Sequence, residues 1–318
     1  MIGADKLHGQ GYFGEGQLLA VIDSGVDMTH HALNGGKPDG TKCFGPGCPI
    51  IKGATFVDDA GNPKWGPDPS ADCLHGWHGT AVMGLLNADA PDRNYTGIVP
   101  AAHTGMYRVF GCEPHDTSDD LIMSAMQQAY HDGADIISMS LGKPDGWPAN
   151  SPTSRLATRL SDLGVHLVAG TGNTAELGAF QGEVPSNAPR VYSVSSVQNN
   201  MLQGYTASIK GADVSFDVVY FAANPIAFNG TGTYPLIATS AELDPENDAC
   251  DPLPDQSPNL SNAVVLIAQS QVSTPTSTLQ VYLSSSSLLI CFRCLTMCRI
   301  VGQSIKLASP SPREPGSS

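Results

Sequence analysis

Two residues able to share a proton stand 55 positions apart: Asp23, in Leu18–Asp27 (LLAVIDSGVD), and His78, in His75–Thr80 (HGWHGT). A carboxylate at the mouth of a buried apolar run is costly unless something uses it. A histidine is the natural user. Its ring takes a proton from a nucleophile, while a buried aspartate fixes the tautomer and stabilises the imidazolium that forms. Asn173 follows a Gly-flanked turn in VAGTGN, and its side-chain amide can donate to a developing oxyanion. Ser140, Leu141 and Gly142 end the run ADIISMSLG, and backbone left open there suits pairing with an extended peptide. Asp-Ser-Gly alone is usually a turn, and His-Gly-Thr alone says little. Their order, with an apolar run before Asp23 and a helical pattern after His78, carries the reading.

A metal hydrolase built on Asp23, His75 and His78 is the weaker alternative. The two histidines are three apart, but the Trp and Gly between them read better as an entry loop, so no metal ligand is assigned. His30 and His31 read as a polar surface. Cys291, Cys294 and Cys298 have metal-like spacing, but no fourth ligand is near and their segment lacks fold signals.

These residues need elements to hold them. Gln17 to Ile22 reads as a buried strand, and residues 34 to 73 as loop-rich. His78 lies in the first turn of a helix whose apolar positions are Val82, Leu85 and Leu86. Gly79, beside it, lets another backbone approach. A strand is expected at about 104 to 109. Next comes a helix capped by Ser118-Asp119-Asp120, with Leu121, Ile122, Ala125, Met126 and Ala129 as its apolar face and Gly133 as its stop. Ala134 to Leu141 is a strand, Ser154 to Leu163 a helix, Val165 to Ala169 a strand, and Arg190 to Val197 another. Strands alternating with helices imply an α/β fold, a parallel sheet with helices on both faces. Asp23, Gly142 and Asn173 then fall at the carboxyl ends of strands, where such sheets collect functional groups. His78 can share that rim.

From Gly204 to Ile267 the pattern becomes β-rich, with runs such as VSFDVVYFAA and AVVLIA and an acidic loop from Leu243 to Pro258. At Gln269 the composition breaks towards Ser and Thr, and no fold is assigned to the tail.

The 318 residues are 41% hydrophobic and 14% charged, with a formal net charge of −14. That balance argues against nucleic acid and anionic membranes as partners. The longest apolar candidate, Leu288 to Val301, is broken by Arg293 and Arg299 and is too short to span a bilayer. Eight cysteines, two of them (Cys43 and Cys48) flanking a Phe-Gly-Pro-Gly turn, and sequons at Asn94, Asn229 and Asn259 lean towards an oxidising compartment. No apolar signal segment follows Met1.

The blocks VIDSGVD, HGWHGTAVMG, GIVPAAHTGMYRVFGC, DGADIISMSLG and VAGTGN resemble the successive motifs of a subtilisin-like serine protease (peptidase S8 type), of the secreted fungal and bacterial branch with a protease-associated insert. The resemblance implies Asp23 as catalytic acid, His78 as general base, Asn173 as oxyanion donor and Ser140, Leu141 and Gly142 as cleft lining. It implies a catalytic domain over 1–203, part of the insert over 204–268, and a tail over 269–318 that is disordered or out of frame. It further implies a secreted protein acting on a polypeptide substrate or peptide ligand. No cofactor is implied beyond a structural calcium with no assigned site. The family's nucleophile sits in Gly-Thr-Ser-Met-Ala, and residues 174 to 318 contain no Gly-Thr-Ser. Ser240 and Ser284 to Ser287 lack the following helix. The expectation is a chain cut or misspliced before its nucleophile and inactive as written. The alternative is a non-catalytic peptide-binding remnant.

Overall fold

The computed structural model describes residues 2–38, 40–71, 77–93, 95–112, 116–174, 177–178 and 181–197, and beyond them 205–210, 215–222, 233–238, 264–268, 280–284, 287–292 and 303–307. The chain forms two compact units, Met1–Val197 and Gln198–Ser318.

The first unit contains helices α1 (Ala4–Gly9), α2 (Trp77–Asn87), α3 (Asp119–His131) and α4 (Pro152–Asp162). Its strands are β1 (Leu18–Asp23), β2 (Ile50–Val57), β3 (Pro63–Gly66), β4 (Asp89–Ala90), β5 (Tyr95–Thr96), β6 (His103–Arg108), β7 (Ile136–Met139), β8 (Lys143–Pro144), β9 (His166–Gly170), β10 (Glu183–Val184) and β11 (Tyr192–Val194). Seven of them form one sheet in the order β11-β9-β7-β1-β6-β2-β3, parallel throughout except for β2 with β3. The chain pairs β6 on one side of β1 and β7 on the other, through α3. The winding therefore reverses at β1, and a crevice opens beyond its carboxyl end.

Strand periodicity decides which face each β1 residue serves. Ala20 and Ile22 join the core beneath α3 and α4, with Tyr107, Ile137, Met139, Leu167 and Ala169. Leu19 and Val21 point the other way, into the core that holds Met83 of α2. Asp23 has the parity of Leu19 and Val21, so it faces the helix that carries His78.

The structure corrects three expectations. The stretch 34 to 73 contains β2 and β3, because Ile50, Ile51, Thr55, Phe56 and Val57 outweigh the surrounding turn residues. The buried stripe of α2 is Gly79, Met83 and Asn87; Leu85 is exposed. Without a side chain Gly79 seats the helix backbone directly on the Gly25 loop, which turns Leu85 outward. Ser118 occupies the N-cap of α3 but its side chain makes no capping hydrogen bond. The apolar face of α3 is as expected.

In the second unit β12 (Tyr205–Lys210), β13 (Ser215–Ala222), β14 (Thr233–Ala238) and β15 (Val264–Ala268) fall in the stretch read as β-rich. The strands β16 (Gln280–Ser284), β17 (Ser287–Phe292) and β18 (Gln303–Leu307) fall in the tail to which no fold was assigned. The seven close a barrel in the order β12-β13-β16-β17-β15-β14-β18.

Candidate active site

Asp23 ends β1 and is 1% exposed. Its Oδ1 accepts from the Ser24 N–H (2.7 Å) and from Nδ1 of His78 (2.8 Å). Its Oδ2 is buried and unpartnered among the described residues. The loop after β1 is stitched to the first turn of α2 twice: the Gly79 N–H donates to Ser24 Oγ (3.0 Å) and the Asp27 N–H to Thr80 Oγ1 (2.9 Å). The first of these satisfies a helix-terminal N–H that no intrahelical bond reaches. These contacts hold the aspartate and histidine in register.

A carboxylate can only accept, so Nδ1 of His78 carries the proton and Nε2 is left as the basic nitrogen. The His78 side chain is 40% exposed, so the pair has a buried acid and an accessible base. The hydrogen bond that His78 donates to Asp23 raises the imidazole pKa above its ordinary 6.5; burial opposes this, and the Asp23 charge adds to it. The folded pKa is thus raised. The stability this pair supplies is fully present below pH 6.5 and is lost as pH rises through the folded value. A base role needs the neutral ring, on the alkaline side. An NMR titration should place the His78 midpoint above 6.5, and Asp23→Asn should bring it down. A midpoint at or below 6.5 with Asp23 intact would refute the coupling.

Ser140, Leu141 and Gly142 continue β7. Leu141 is buried in the core, while Ser140 and Gly142 are exposed on the opposite side. Asn173 follows β9, is exposed, and comes directly after Gly172, which adopts φ +98°. With β9 two strands from β1, these ends lie about 10 Å apart across the sheet. Asp23 and His78 are therefore in contact, and Ser140–Gly142 and Asn173 share their rim of the sheet. Beside that rim lies a cavity of about 540 Å³, lined among others by Phe110, Ile122, Leu141, Gly142 and Val184.

His75, Ser240 and the asparagines of all three sequons lie outside the described residues. Among the described residues no three His, Cys, Asp or Glu side chains are grouped to hold a metal ion. Cys43 and Cys48 form a disulfide, and Cys112 is also disulfide-bonded. No described helix is long and apolar enough to cross a membrane. Sequence reasoning missed Ser24 and Glu183. Ser24 stood in the quoted Asp-Ser-Gly motif. Glu183 stood in none.

The profile of the Subtilase family (Peptidase S8) matches residues 14–286, past the compositional break at Gln269. The chain is 33% identical to the minor extracellular protease Vpr of Bacillus subtilis (strain 168) over 199 residues, 62% of this chain and 22% of that protein. It is 28% identical to subtilisin E of the same organism over 220 residues, 69% of this chain and 50% of that one. With subtilisin NAT of Bacillus subtilis subsp. natto the identity is 27% over 251 residues, 76% and 58%. The chain thus spans between 22% and 58% of the length of these relatives. The solved prenylagaramide maturation protease PagA aligns at TM-score 0.44 and 23% identity, over 61% of this chain and 58% of that one.

Proposed function

The chain belongs to the subtilase family, and on that premise we propose that Asp23 and His78 are the acid and general base of a serine-type endopeptidase site. The observation that carries the reading is the 2.8 Å bond from His78 Nδ1 to Asp23 Oδ1, at the point where the sheet reverses its winding. In the full reaction Nε2 of His78 takes the proton of a serine hydroxyl as its oxygen attacks the scissile carbonyl. The side-chain amide of Asn173 donates to the oxyanion that develops. The imidazolium, stabilised by Asp23, then returns the proton to the leaving amine.

Residues 174 to 318 offer no serine in the Gly-Thr-Ser setting this step needs. The chain as it stands therefore binds extended peptides along Ser140–Gly142 and does not turn them over. The missing Gly-Thr-Ser favours this second, binding-only reading, and the exposed Ser140 and Gly142 leave the edge open to a peptide under either. The protein is secreted, a reading supported by its extracellular relative and its disulfides. The strands β12 to β15 belong to a protease-associated insert. The test is a titration with an extended peptide followed by amide hydrogen exchange. Bound peptide should slow exchange at Ser140 and Gly142 and shift the His78 ring resonances. A chain that binds no peptide would reject the reading.

A further inference from the structure

Glu183 is a buried acid for which the Asp23–His78 pair has no use; it is 9% exposed. It begins β10, a two-residue strand paired antiparallel with β8, with Glu183 opposite Pro144. Its N–H donates to the Thr171 carbonyl (3.1 Å). Its own carbonyl accepts from Ser186 Oγ (2.6 Å) and the Asn187 N–H (3.4 Å). The backbone is pinned more firmly than the carboxylate. Among the described residues the carboxylate accepts one hydrogen bond, a long one, from Thr174 Oγ1 to Oε1 at 3.4 Å. It takes part in none of the ion pairs among the described residues. Lys143, on β8, is exposed and stands opposite Val184 instead.

The position of this carboxylate makes it informative. A Cβ added to Gly142 would lie 2.5 Å from Glu183 Oε2. One added to Gly172 would lie 2.1 Å from Cδ and 2.3 Å from Oε1. The carboxylate therefore fills the gap between two glycines. One glycine closes the Ser140–Gly142 edge, and the other immediately precedes Asn173. Only glycine leaves room for it on either side, and Gly172 also needs its positive φ.

We infer that Glu183 sets specificity, selecting peptides that carry Lys or Arg at the residue whose carbonyl meets Asn173. The inference rests on the reading of Ser140–Gly142 and Asn173 as the peptide site. A peptide paired along Ser140–Gly142, with that carbonyl at Asn173, puts the attached side chain at the junction of the two strand ends. The acidic group waiting there is Glu183. A carboxylate on a residue only 9% exposed, with one long hydrogen bond among the described residues, is costly to keep charged, and a cation completes it. An uncharged side chain of the same shape leaves it unpaired. The net charge of −14 draws basic peptides in the same direction.

The test uses the full chain and two fluorescein-labelled peptides, Ala-Ala-Pro-Arg-amide and the same peptide with citrulline, the uncharged near-isostere of arginine. Anisotropy should show the arginine peptide binding about tenfold or more tightly. Glu183→Gln should abolish the difference, and Glu183→Asp should keep part of it. Tryptophan-monitored melting checks that each variant is folded; if Glu183→Gln is not, the wild-type ratio of the two peptides decides alone. Equal affinities in the wild type, or an arginine preference that survives in folded Glu183→Gln, overturn the inference while leaving the peptide site standing. Binding of neither peptide overturns both together.

Discussion

A fluorophosphonate probe is expected to leave the purified chain unlabelled. An extended peptide substrate should turn over about a million-fold more slowly than in a relative with a complete triad, a magnitude measured by removing the serine from a subtilisin. The physical reason lies in what the pair does. On the proposed reading Asp23 and His78 lower a barrier only by taking a proton from an attacking oxygen, and residues 174 to 318 hold no Gly-Thr-Ser serine to supply it. An oxyanion donor and a peptide-binding edge still supply some acceleration without the nucleophile, but a small fraction of the whole. Retained peptide binding beside absent labelling would fit a protease scaffold working as a binding protein. Covalent label on any serine, located by mass spectrometry of peptide fragments, would overturn the expectation; Ser240 is the first residue to inspect.

The second large effect concerns Gly79. Replacing a helical glycine with alanine ordinarily stabilises by about 1 kcal/mol. Gly84, on the same helix, meets that expectation: a Cβ there would touch nothing within 4 Å, so Gly84→Ala should stabilise by about 0.5–1 kcal/mol. At Gly79 the sign reverses. The added Cβ would lie 2.1 Å from the Gly25 carbonyl oxygen and 3.1 Å from Asp23 Oδ1. Neither obstacle can rotate away. The first is backbone, and the second is held by Ser24 and His78. Overpacking costs about 1–3 kcal/mol where side chains can yield, so about 3 kcal/mol or more is expected where backbone must move. Urea unfolding followed by tryptophan fluorescence reads this cleanly, because Trp65, Trp77 and Trp147 all lie in the first unit. The same substitution should lower the raised His78 midpoint, since it lifts the helix off the Asp23 loop. A Gly79→Ala chain as stable as the wild type, with His78 still titrating high, would mean that α2 does not rest on Gly25.

Much of the frame was legible before any coordinates. The run from Leu18 to Ile22 announced a strand buried on both faces, and β1 is that strand. Asp-Ser-Gly after it and His-Gly-Thr at a helix start marked Asp23 and His78, which the structure brings to 2.8 Å. The amphipathic pattern from Leu121 to Ala129 located α3 and its buried face. These are local signals, carried by periodicity and turn chemistry within a few residues. Where they were weak, the reading failed. Turn residues on both sides hid β2, and on α2 the close approach at Gly79 was foreseen while Leu85 was wrongly given to the apolar face. A hydrophobic count assigns weight to Leu85 and none to a missing side chain.

The alternation of strand and helix, Asp23 and His78 as partners, and the strand ends that carry Ser140–Gly142 and Asn173 were all written in local pattern. That Asp23 faces α2 came from the fold alone, because a strand's parity has no meaning until each face has a neighbour. Only it showed that Ser24 and Thr80 lock the loop to the helix across a long span of chain. And only it brought Glu183 between Gly142 and Gly172, since a lone glutamate carries no pattern and those contacts come from separate turns of the chain. The order of residue types was enough to pick out the two members of the pair. The group that stands beside it was set by the packing of strand ends that the sequence keeps apart.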